Sequence, residues 1–92
     1  MIISFGDQAT QTLWDLKYSK RFSNIARSAL RKLIALDAAE QLYQLSVPPG
    51  NRQEALKGKG VGWHSIRIND QWRIIFHWTI NGPSEVEIID YH

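Results

Sequence analysis

The stretch HSIRINDQWRIIFHW, residues 64–78, decides the architecture. Ile66 and Ile68 precede its "NDQ"; Trp72, Ile74, Phe76 and Trp78 follow it, all at even positions. Alternation of period two marks a strand with one buried face. A short polar break between two such runs marks a hairpin. If both even sets face the same way, Ile68 pairs with Trp72 and Ile66 with Ile74, since a slip of one residue would turn a whole set outward. That register sets Arg67 opposite Arg73 on the other face. Like charges directly opposite destabilise a sheet. An anion between them removes the penalty, because guanidinium groups bind phosphate oxygens in bidentate fashion. The plainer alternative turns both arginines into water or pairs them with Glu85 or Glu87. The anion site is favoured, because a count through "NGP" (81–83) brings Tyr91 to the Arg73 face as well.

Working outward, period-two strands are expected at about 52–57, 62–68, 72–80 and 84–91, separated by "GKGVG", "NDQ" and "NGP". Upstream, "SVPPGN" is a loop, since Pro48, Pro49 and Gly50 cannot continue a helix. "EQLYQL" adds a short helical turn. "SNIARSALRKLIALDAA" is a helix, with Ser23 as its cap and Ile25, Ala29, Leu33 and Leu36 on its apolar face. "DQATQTLWDLK" is another, capped by Asp7, and "MIISF" reads as a first strand. The order is β-α-α-β-β-β. It predicts an α+β fold in which an antiparallel sheet carries the helices on one face. Ninety-two residues make one domain, 1–92.

A hydrophobic fraction of 43% with 22% charged residues is that of a globular protein. No apolar run approaches the roughly 20 residues that cross a bilayer. No signal peptide is evident, and there is no cysteine. The expectation is a cytoplasmic protein with no membrane partner. Net charge is only +2, but it is unevenly spread. Lys17, Lys20, Arg21, Arg27, Arg31 and Lys32 fall in a stretch without any Asp or Glu. Such a patch suits an anionic polymer such as RNA; a solvated helix face explains it equally well.

"RQEALKGKG" (52–60) offers Glu54 as a base and Lys57 as a stabiliser of an oxyanion or a proton donor to a leaving oxygen. Its glycines fit a plain hairpin loop as well as a phosphate cradle. The three histidines lack metal-ligand spacing, so neither metal nor cofactor is expected. His77 falls on the polar face of its strand. His64 has apolar parity, so a hydrogen-bonded, part-buried imidazole is expected. Asp90, Tyr91 and His92 close the last strand, which runs toward the arginine pair.

"ALKGKGVGWHSIRINDQWRIIFHW" together with "DYH" resembles the HigB branch of the RelE/ParE toxin superfamily, and the resemblance covers essentially the whole chain. "PPGNRQEALKG" with "HSIRINDQWR" is especially similar to its GraT variant. The resemblance implies a type II toxin that cuts messenger RNA in the aminoacyl site of the ribosome without a metal ion. It also implies a helix-turn-helix, HigA-like antitoxin as partner, through which alone the toxin would meet operator DNA. Lys57, Arg73, Asp90, Tyr91 and His92 match the active-site pattern. Arg67 belongs to the variant "SIRIND". Glu54 departs from it: many relatives have "HPLKG" where this chain has "EALKG", which leaves the general base open. The alternatives are a ParE-like toxin directed at DNA gyrase, since one fold hosts both activities, and a non-catalytic RNA-binding module.

Overall fold

The structure, a computed structural model, describes residues 1–91. Helices α1 (Gln8–Leu16) and α2 (Ala26–Ala38) precede four strands: β1 (Glu54–Ala55), β2 (Trp63–Arg67), β3 (Trp72–Thr79) and β4 (Gly82–Asp90). The strands form one antiparallel sheet in chain order. This is the expected α+β arrangement, with both helices against one face.

The even positions face those helices. Ile66, Ile68, Ile74 and Phe76 are buried, with Trp72 and Trp78 packed at the margin. Leu13 of α1, Phe22, and Ala29, Leu33 and Leu36 of α2 meet them. Fully burying one such large side chain is worth roughly 1.5–3 kcal/mol, so this apolar layer fixes the register. Ile66 lies opposite Ile74, and Arg67 opposite Arg73. Buried Thr10 ties α1 to the sheet, its hydroxyl accepting a hydrogen bond from the Ile88 amide at 3.0 Å.

Three details differ from the sequence reading. "MIISF" forms a single parallel bridge, Phe5 to Val86, and no strand. The strand expected at 52–57 shrinks to two residues, because Arg52 adopts a left-handed backbone (φ 45°) and Lys57–Lys59 coil into a 3-10 turn. Ser23 does not cap α2. The helix begins after Ile25 without a side-chain cap, and Ser19 instead accepts from the Phe22 amide at 3.0 Å in the preceding turn. Asp7 does cap α1, accepting from the Thr10 amide at 3.2 Å.

A β-bulge at Glu85 decides which way the end of β4 faces. Before it His77 pairs with Ser84; after it Ile75 pairs with Glu87 and Arg73 with Ile89. The shift of one residue lets odd positions of β4 share a face with odd positions of β3. Without it, the alternation would carry Tyr91 to the helix side. Glu85 takes φ 51° to make this turn.

Candidate active site

The odd face of β2 and β3 carries the cross-strand arginine pair, and its two members are held differently. Arg67 pairs with Asp70 in the adjoining hairpin loop. Arg73 is only 6% exposed. Its Nε donates to the buried Ser65 hydroxyl at 2.9 Å, and a terminal nitrogen donates to the Arg52 carbonyl. These bonds engage only part of the guanidinium's donor set, which leaves donors over for an anion. The charges are thus accommodated by local acceptors, and the pairing with Glu85 or Glu87 weighed from sequence does not occur.

Tyr91 converges on the same place. Its ring lies over Arg73, with the guanidinium carbon 5.5 Å from the centroid. Its amide donates to the Gln71 carbonyl at 2.6 Å, which fixes the end of β4. Around these groups opens a cleft of about 220 Å³ lined by Arg52, Glu54, Arg67, Asn69, Asp70, Arg73 and Tyr91. Three arginines face two carboxylates and a phenol. Such a site can bind a phosphate bidentately and offer groups able to move protons.

Four of the residues named from sequence, Glu54, Arg67, Arg73 and Tyr91, therefore line one cleft. Lys57 is not among its lining residues; it sits on the rim of a neighbouring depression after β1. Asp90 ends β4 opposite Trp72 and accepts from the Gln71 amide side chain at 3.1 Å. His92 lies outside the described residues.

The basic stretch is split by the fold. Lys32 reaches Asn51. Lys17 donates to the Trp14 carbonyl at 2.6 Å and lies 4.0 Å from the centre of that indole ring. Arg21 stands 5.5 Å from the Phe22 ring. Lys20 is exposed, and exposed Arg27 and Arg31 flank the half-buried Leu30 on the outer face of α2.

Arg52, Asn51 and Ser65 were not anticipated. Asn51 is 1% exposed, and its side-chain amide donates to the Leu45 and Val47 carbonyls at 3.1 and 3.4 Å. It thereby pins the loop that presents the Arg52 carbonyl to Arg73. Only the placement of Ser65 on Arg73's face was available beforehand as a signal.

His64 is half-buried, as expected, with Nδ1 3.0 Å from the Gln53 side-chain nitrogen and its ring stacked on Phe76. Burial, and then the nearby His77, hold its pKa below the ordinary value of 6.5. No cluster of three or more His, Cys, Asp or Glu able to hold a metal occurs among the described residues. No helix there is long and apolar enough to cross a membrane.

Fold and cleft together define a small α+β domain of the RelE-like class. A family profile described as "RelE-like toxin of type II toxin-antitoxin system HigB" matches residues 4–92. Toxin HigB-1 of Vibrio cholerae serotype O1 is 38% identical over 94 residues, an alignment covering 100% of this chain and 98% of that protein. An uncharacterized protein of Haemophilus influenzae is 38% identical over 64 residues, 70% of this chain and 63% of that one. The chain belongs to the HigB-like toxins of type II toxin–antitoxin systems, and membership implies a cognate antitoxin as partner.

Proposed function

We propose that this toxin is a ribosome-dependent, metal-independent endoribonuclease that cuts messenger RNA and so stops translation. The observation that carries the reading is the convergence of Arg67, Arg73, Tyr91 and Glu54 on one cleft. RNA supplies its own nucleophile, the 2′-hydroxyl. Its proton passes to a base, for which Glu54 and His92 are the candidates. The oxygen bonds to the phosphorus, and Arg73, with Arg67, stabilises the doubly charged phosphorane. The bond to the 5′-oxygen breaks as that oxygen takes a proton from His92, Tyr91 or Lys57, leaving a cyclic phosphate. Tyr91 also offers an exposed ring to a base, and Asp90 orients its neighbours. General acid–base groups of this kind each contribute about 10²–10⁴-fold.

The reaction takes place in the cytoplasm, on the ribosome. Lys17, Lys20, Arg21, Arg27, Arg31 and Lys32 dock ribosomal RNA. The antitoxin is a helix-turn-helix protein of the HigA type, and the toxin meets operator DNA only through it. The test is expression in a bacterial host with sequencing of message ends. Expression alone should arrest growth and fragment messages, and co-expression of the antitoxin should relieve both. Arrest with intact messages and gyrase-linked DNA breaks would establish the ParE-like reading instead.

A further inference from the structure

The odd face of β2 continues beyond the arginine cleft. Trp63 lies four residues before Arg67 on that face, about 13 Å along the strand. Its half-buried indole is packed on one side by His77, ring centres 5.3 Å apart. The Lys59 ammonium stands 4.6 Å from the centre of the same ring. Gly62, with φ 87°, makes this packing possible, since a Cβ there would lie 2.9 Å from His77 Nε2. Beside the indole is a mostly apolar depression of about 450 Å³ formed by Leu56, Lys57, Val61, Trp63 and His64 with the neighbouring glycines. Val61 is 98% exposed. Two lysines border the depression, and no carboxylate lines it.

We propose that Trp63 and Lys59 form a stacking platform for one nucleobase of the message, a few nucleotides from the phosphate held by Arg73. The proposal rests on the endoribonuclease reading. Three features commit the site to single-stranded RNA. The platform shares a face with the anion cleft; it interleaves an aromatic ring with cations, as single-strand binding surfaces do; and its apolar wall accepts a base edge. In the free protein Lys59 covers the ring. With RNA bound, the ammonium moves to the adjoining phosphate and the base takes its place. The site thus sets where along a message the toxin cuts, through an indole that takes no part in the cut itself.

The test has two arms. The first measures cleavage on programmed ribosomes carrying messages that vary in each base flanking the cut. Trp63→Leu should lower kcat/KM about tenfold, chiefly through KM, and flatten base preference at one flanking position. Trp63→Phe should restore most of both, and Lys59→Met should raise KM by a smaller factor. A wild-type pattern and KM in Trp63→Leu, from a protein that melts at the wild-type temperature, would overturn the platform and leave the endoribonuclease reading standing. The second arm photocrosslinks short single-stranded RNA to the protein and maps the attachment. Crosslinks at Trp63 that Trp63→Leu abolishes support the platform even if the wild-type protein fails to cut, an outcome that would sink the endoribonuclease reading alone. Crosslinks confined to other surfaces would overturn the platform.

Discussion

Arg73 is the residue on which packing and chemistry meet. Its bonds to Ser65 and to the Arg52 carbonyl orient it from below, and Tyr91 orients it from the side. Arg73→Ala should therefore have two separable effects. Cleavage should lose at least ~2 kcal/mol of transition-state stabilisation. Stability should fall by about 1–3 kcal/mol, because hydrogen bonds to a buried charge are lost. Arg73→Lys keeps the charge but not the fork, so it should recover part of the stability and little of the rate. Calorimetry beside single-turnover kinetics separates the two. His64 gives a pH prediction. Its folded pKa lies below the ordinary value of 6.5. Between those two pKa values the unfolded chain binds the extra proton, so stability is complete above 6.5 and falls as pH drops toward the folded value. Melting temperature should thus climb as pH rises to about 7 and level off above it. His64→Phe should lessen that slope; an unchanged slope would show that other groups govern it. Arg73 was legible because alternation alone fixes its face, whereas Tyr91 reaches that face only through the bulge in β4. Asn51 and Arg52 were not, because what matters is a loop amide and a carbonyl, to which side-chain patterns are blind.

At the scale of elements, the bulge in β4 is the device that delivers Tyr91. Glu85 holds a backbone conformation that suits glycine. Glu85→Gly should leave the melting temperature unchanged or higher. Glu85→Val should destabilise the protein by about 1–3 kcal/mol, since a β-branched residue resists that geometry. Equal melting curves for the two variants would contradict the assignment. The hairpin between β2 and β3 was readable to the residue, because six apolar side chains share one parity. The bulge was not, because it inserts one residue without changing composition. β1 is shorter than expected for a related reason: no residue type in "RQEALK" marks a break, yet Arg52 and the Lys57–Lys59 turn bend the chain away on both sides. On α2, the exposed Arg27 and Arg31 share a face. Replacing both by Glu should weaken ribosome binding and flatten its dependence on salt. Unchanged binding across a salt series would remove this helix from the docking surface.

At the scale of the whole molecule, a sheet buried on one side by two helices offers its other side as a rigid platform. One end of that side gathers the arginines, and the other carries Trp63. Fold class was legible because two helical stretches followed by alternating runs leave few arrangements. The distribution of positive charge was only partly legible, because Lys32 is drawn to Asn51 and away from the face shared by Arg27 and Arg31. The central claim is that the arginine cleft cuts message on the ribosome. In vitro translation with mapping of message ends tests it most directly. The wild-type protein should produce discrete new ends within the coding region only when ribosomes are translating, and Arg73→Ala, folded by calorimetry, should produce few or none. Intact message with the wild-type protein, or full ribosome-dependent cleavage by Arg73→Ala, would contradict it.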